Sequence, residues 1–252
     1  VPPDTYYANT ELYDGTSWTE VNDLGTGRVG IRGSGTSTSA IGSGGDTGPA
    51  QVALSESWNG TNWTEVNDLN QARTAAGAAG ADNTSSLIFG GNLASTLYGL
   101  TETWNGSNWT EVNDLNTARS NVVGTGTATA ALAFGGLNPT SSYKTETESW
   151  NGTNWTEVSD LNTARSRMGA AGTVPAALGF GGQISTAAVS ALTEEWNGTS
   201  WTETSDLGTA RMELGGRGTT SNALAFAGKA TATTAVTEEW TGAGAPVGAW
   251  ST

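Results

Sequence analysis

The groups that could do chemistry in this chain come in copies. An Asp and an Arg five positions apart recur as Asp23/Arg28, Asp68/Arg73, Asp114/Arg119, Asp160/Arg165 and Asp206/Arg211. Guanidinium pairs bidentately with carboxylate, sulfate or phosphate, so five such arginines around one face would form an anion-binding ring. The competing reading is structural: each Asp and Arg pins the loop between them, bonding to loop backbone and to each other. Strict repetition favours the structural reading, because structure is needed in every copy and a site is not. Carboxylates recur too, as Glu56/Glu65, Glu102/Glu111, Glu148/Glu157 and Glu194/Glu203. A carboxylate pair across a cleft can hydrolyse a glycoside. These pairs repeat identically beside Thr, which fits a solvated strand edge that discourages unwanted pairing. No catalytic residue is assigned.

What is missing narrows the chemistry further. The 252 residues include no Cys and no His. That removes disulfides, thiolate nucleophiles, Ser-His-Asp triads and His-ligated zinc. No calcium-loop pattern of the Asp-x-Asp-x-Asp-Gly type is present, so neither metal nor cofactor is expected. Ten basic against 24 acidic residues give a net charge of −14, which repels nucleic acid phosphates and anionic lipid. No apolar run approaches the ~18 residues of a membrane span. Asn59, Asn62, Asn105, Asn108, Asn151, Asn154 and Asn197 sit in Asn-x-Ser/Thr triplets, which accept glycans only in a glycosylating secretory pathway and otherwise read as turn and strand chemistry. The start, Val1-Pro2-Pro3 without Met, suggests a processed chain or a piece of a longer one.

The elements that position these groups follow from a repeat. The phrase at 58–73, Trp-Asn-Gly-Thr-Asn-Trp-Thr-Glu-Val-Asn-Asp-Leu-Asn-Gln-Ala-Arg, returns at 104–119, 150–165 and 196–211, with an earlier copy at 13–28. Its second Trp falls at 18, 63, 109, 155 and 201, a beat of 45 or 46. A paired Gly keeps the same beat at 44–45, 90–91, 135–136 and 181–182, becoming Ala227-Gly228 in the last copy. Each period resolves into four short strands: a after the Arg, b ending at the Gly pair, c before Asn-Gly and d after it. Asn-Gly reads as a type I′ hairpin turn. Small residues suit a crowded inner strand a, and one Trp each on c and d fills the widening gap between sheets. Periods of ~40–50 residues with four strands are propeller blades. The expected fold is therefore all-β, a single domain over 1–252 with repeats near 13–57, 58–103, 104–149, 150–195 and 196–239. Five blades are favoured, closed by the N-terminal hairpin at 10–22 completing the last a-b pair. The degraded c-d phrase from Trp240 to Trp250 is then spare; six blades is the alternative, which needs an a-b pair that this sequence lacks.

The Gly pair 135–136, Trp150, Trp155 and Arg165, with their counterparts in neighbouring copies, resemble the Kelch repeat over nearly the whole chain. The wording Trp-Asn-Gly-Thr-Asn-Trp-Thr-Glu is also similar to repeats of marine phage and environmental bacterial proteins. The departures from Kelch are the Asn-Gly turn and a shorter period. The resemblance implies b-to-c and d-to-a loops on a shared face, where a partner would dock. The b-to-c loops (46–51, 92–99, 137–145, 183–191 and 229–235) differ from one another, and Tyr98, Tyr143 and Lys144 are their richest side chains. The expected function is a structural or display module contacting a protein partner, as a bead in a phage fibre or a bacterial surface protein, extracellular or on a virion and able to oligomerise. The alternative is a lectin-like module with several equivalent glycan sites, which exposed Trp at matching positions would favour.

Overall fold

A computed structural model describes residues 6–242 and 249–252; the Val1-Pro2-Pro3 start and the turn of the last phrase lie outside them. The chain opens with a two-stranded sheet, β1 (Thr10–Tyr13) and β2 (Trp18–Val21). Blade 1 follows as β3 (Arg32–Thr36), β4 (Ser39–Ser43), β5 (Ser55–Trp58) and β6 (Trp63–Val66). Blade 2 has β7 (Gly77–Asp82) and β8 (Ser85–Phe89), then a small loop hairpin of β9 (Asn92–Leu93) and β10 (Thr96–Leu97), then β11 (Thr101–Trp104) and β12 (Trp109–Val112). Blade 3 is β13 (Val123–Thr127), β14 (Ala130–Phe134), β15 (Thr147–Trp150) and β16 (Trp155–Val158). Blade 4 is β17 (Gly169–Thr173), β18 (Ala176–Phe180), a loop hairpin of β19 (Gln183–Ser185) and β20 (Ala188–Val189), then β21 (Thr193–Trp196) and β22 (Trp201–Glu203). Blade 5 is β23 (Gly215–Gly218), β24 (Asn222–Phe226), β25 (Thr237–Thr241) and β26 (Ala249–Ser251). The fold is a five-bladed propeller of four-stranded antiparallel blades.

Strand a is innermost in each blade, and β3, β7, β13, β17 and β23 pack in that succession. Its small residues have a more specific cause than crowding at an axis. A Cβ at Gly124 or Gly216 would overlap the ring of Phe89 or Phe180 from strand b of the preceding blade. Each Phe also meets the strand-d Trp of the next blade, as in Phe89–Trp155, Phe134–Trp201 and Phe180–Trp250, at 4.7–4.8 Å between centroids. Phe89, Phe134 and Phe180 are fully buried. The blades are thus cemented by one aromatic from each side.

The c-d turn differs from the type I′ expectation. Trp58 pairs directly with Trp63, so four residues form the loop, and only Gly60 takes positive φ, at +91°. Asn59 works through its side chain: Oδ1 accepts the N–H groups of Thr61 and Asn62, both at 2.9 Å. Asn favours turns by this local bonding as well as by tolerating positive φ.

Closure also differs from the expectation. Strand β24 pairs with β25, so the C-terminal strands complete the last blade, and the N-terminal hairpin does not. Positions 10–22 instead form their own sheet between blades 5 and 1. Trp18 Nε1 donates to Thr237 Oγ1 at 3.2 Å, and Trp63 Nε1 donates to Thr10 Oγ1 at 2.9 Å. The sequence offered two c-d pairs for one vacancy, and the pair contiguous with β24 took it by a short connection.

Candidate functional site

The repeated charges lie inside the blades. Arg28, Arg73, Arg119, Arg165 and Arg211 are at most 4% exposed, and each pairs with a strand-c glutamate: Glu56, Glu102, Glu148, Glu194 and Glu238. Arg119 shows the arrangement shared by Arg28 and Arg165. Nη2 donates to Glu148 Oε1 at 2.7 Å, and Nη1 donates to the carbonyls of Gly135 and Glu146 at 3.0 and 2.6 Å. Burial pulls the Arg119 guanidinium below its usual range while Glu148 pulls it back up; it stays charged. All five guanidiniums are buried against strand-c glutamates rather than presented on the loop face. The repeated aspartates bond to strand-c backbone rather than to these arginines. Asp114 Oδ1 accepts the N–H of Thr101 at 3.1 Å, and Asp68, Asp160 and Asp206 do the same for Ser55, Thr147 and Thr193. Asp and Arg therefore hold strand c from two sides. The strand-c glutamates are core groups rather than solvated edges, a correction explained by strand position: c lies inside the blade and d forms its outer edge. Glu148 and Glu157 face each other across the pair, yet only Glu148 reaches the buried Arg, while Glu157 is exposed.

One face of the propeller carries the variable residues. The d-to-a and b-to-c loops meet there, since Thr74, Ser120, Ser166 and Met212 bridge to Asn92, Leu137, Gln183 and Lys229. Tyr98 and Lys144 occupy equivalent places in blades 2 and 3: each N–H donates to the second Gly of its pair, and each carbonyl accepts from Arg119 or Arg165. Tyr143 precedes Lys144 and bridges to Leu137. All three are half-buried. Lys144 Nζ lies 2.5 Å from Glu146 Oε1, so its charge is partly neutralised within its own loop.

The centre of this face was not read from the sequence. The inner strands surround a channel of about 720 Å³, whose mouth is ringed by Gly30, Ala75, Asn121, Arg167 and Glu213. All five have φ between +51° and +66°. Left-handed backbone costs a non-Gly residue roughly 1 kcal/mol, and a relay of backbone bonds offsets it here: Asn121 to Ala75, Arg167 to Asn121, Glu213 to Arg167, at 2.7–3.2 Å. Arg167 pairs with Glu213 at 3.2 Å, and Arg32 lines the channel beside them. The signal was available: the second residue after each repeated Arg differs in every copy. The arrangement can recognise a partner through charge, amide groups and loop aromatics.

Fold and site together define a β-propeller repeat protein with a constant interior and one variable face. No protein-family model matches the chain, and no curated protein sequence matches it.

Proposed function

We propose that this protein is a non-enzymatic interaction or display module whose loop face contacts another protein. One observation carries the reading. Positions that repeat are inside, as Trp rows and Arg–Glu pairs, whereas equivalent positions around the channel mouth and in the b-to-c loops differ from blade to blade. Function concentrates on loops held by a rigid scaffold. Eight Trp are at most 6% exposed (Trp58, Trp104, Trp109, Trp150, Trp155, Trp196, Trp201, Trp240), so the repeat offers no set of matching stacking platforms for a lectin. A phage fibre or bacterial surface protein, the setting its Kelch-like and phage-like repeats imply, suits a rigid bead of this kind.

The two lysines make the reading testable. Lys144 and Lys229 both lie on the loop face. Amine-reactive cross-linking of the protein in its native assembly, read by mass spectrometry, is expected to join these two lysines to other polypeptides. A glycan array is expected to give no saturable signal. Sugar binding accompanied by a change in Trp emission would overturn the reading in favour of the lectin.

A further inference from the structure

Outside the blade interiors, the remaining arginines gather on the axis. Five of the chain's eight belong to the repeat and are buried against strand-c glutamates. The other three, Arg32, Arg167 and Arg217, occur once each, on inner strands or at the mouth of the channel. Arg32 stands where the other blades carry Gly77, Val123, Gly169 or Gly215, and its partner across the pair is Ser43 where they have Phe. The smaller Ser leaves room for a long stem, but Met or Leu would fill that room without bringing a charge. Arg167 stands where blades 2 and 3 carry Ala75 and Asn121. Arg217 lies nearer the opposite face, its Nη2 3.5 Å from the Gly80 carbonyl.

Two of these guanidiniums share the mouth with a single carboxylate. Arg32 Nε donates to the Ala76 carbonyl of blade 2 at 2.6 Å and Nη1 to the Ile31 carbonyl at 3.2 Å, leaving Nη2 without an acceptor among the described residues. Arg167 Nη1 lies 3.2 Å from Glu213 Oε1, and its Nη2 likewise has no acceptor among the described residues. Burial pulls the Arg32 guanidinium below its usual range, Glu213 pulls it back and Arg167 pushes it further down; it stays charged. Arg32 has no ion-pair partner among the described residues. The half-buried Asn121 brings a side-chain amide to the same mouth. Around it, Asp68, Asp114, Asp160 and Asp206 are exposed where strand c begins. A chain of net charge −14 thus holds a positive centre inside an acidic rim, and a cleft focuses such a field.

We propose that the channel mouth is a binding site for a carboxylate group, held between Arg32 and Arg167 with Asn121 as a further donor. Guanidinium matches a carboxylate in shape as well as charge, and Glu213 shows that one fits beside Arg167. The same Glu213 and the aspartate rim disfavour a dianionic phosphate. Below the charges, Val123 and Met168 line the channel and suit the apolar body of a ligand. Its volume of about 720 Å³ lies within the roughly 300–1,000 Å³ of small-molecule sites. The inference rests on the loop-face reading only for the source of the carboxylate. That source is an acidic side chain of the docked polypeptide or a free dicarboxylate.

The probes are succinate, inorganic phosphate and the peptide acetyl-Gly-Asp-Glu-Gly-amide, titrated into the full chain by calorimetry at low salt. Saturable binding of succinate or the peptide is expected. Arg32→Met, which keeps a stem to fill the room beside Ser43, and Arg167→Gln are each expected to weaken it about tenfold. Arg217→Gln makes the same change of charge at the far end of the axis and is expected to leave binding within about twofold. Glu213→Gln removes the resident carboxylate and is expected to tighten binding at least about threefold. Glu213 is exposed, so this variant stays informative if an Arg variant fails to fold. A peptide bound more tightly than succinate makes the partner's side chain the source, and the reverse order makes it a free dicarboxylate. Binding of neither carboxylate, tighter binding of phosphate, or binding unmoved by the changes at Arg32, Arg167 and Glu213 would overturn the proposal. Cross-links from Lys144 and Lys229 to other polypeptides would survive that failure, so the loop-face reading is judged separately.

Discussion

Five arginines take half of the chain's ten basic residues into its interior. A buried ion pair is weakly stabilising against an apolar substitute, but cutting one partner costs about 3–5 kcal/mol because a charge stays buried alone. Glu148→Leu would strand Arg119 and also remove the acceptor of the Asn116 N–H, 2.7 Å away. We expect a loss of that size in urea unfolding. Adding Arg119→Met should recover part of it, not all, because the carbonyls of Gly135 and Glu146 then lose their donor and each costs about 1–3 kcal/mol if left unsatisfied. A loss below about 1 kcal/mol for the single change would put the pair with solvent-exposed ones. The structural role of Arg119 was legible from repetition alone. Its partner was not, because Glu148 is 29 residues away, and a sequence shows Glu beside Thr whether the strand faces water or core.

At the scale of the strand and its turn, two glycines should respond differently. Gly106 has φ +91°, and a Cβ there would meet only Thr84, at 3.5 Å or more. Its cost is therefore conformational, and Gly106→Ala should destabilise by about 1 kcal/mol. Gly124 is tighter: a Cβ would overlap the Phe89 ring and lie 2.8 Å from the Ala78 carbonyl. Gly124→Ala should cost more, about 1–3 kcal/mol by overpacking, and should loosen blade 2 from blade 3. Thermal unfolding of the two variants checks the order, and a larger effect at Gly106 would contradict the aromatic cement between blades. The hairpin over 55–66 was legible because Asn-Gly punctuates two strand-like runs. The turn type was not, because it depends on whether Trp58 pairs with Trp63, a register that composition does not set.

In the whole molecule, the chain ends decide how well the ring holds together. Five a-b pairs and six c-d pairs were legible in the sequence, but the vacancy in the last blade was given to the wrong c-d pair, the N-terminal one, since both candidates are degraded copies. The pairing of β24 with β25 makes the C-terminal truncation the more damaging one. Deleting 236–252 removes β25 and β26, and with them Trp240, 1% exposed, and the Trp250 ring that covers Phe180. It also removes Glu238 and leaves Arg211 buried without its partner. Blade 5 would be reduced to β23 and β24, with the inner pair exposed along a free strand edge that invites aggregation. Deleting 1–22 removes a hairpin whose described ties to the ring include four side-chain bonds, Trp18 to Thr237, Tyr13 to Glu239, Trp63 to Thr10 and Asn22 to Asn62. Tyr13 itself shows a looser fit. Elsewhere the Trp at its position donates to the a-b turn carbonyl of its own blade, as Trp104 does to Asn83 at 2.9 Å, and the Tyr13 hydroxyl turns to Glu239 of blade 5 instead. Repeat arrays lose stability interface by interface, so the N-terminal deletion should lower Tm while unfolding stays cooperative. The C-terminal deletion should lower it further and promote aggregation. Thermal unfolding of both truncations beside the full chain, with light scattering, tests the order. If the N-terminal deletion proves the more damaging, the hairpin rather than β25 and β26 holds the ring together.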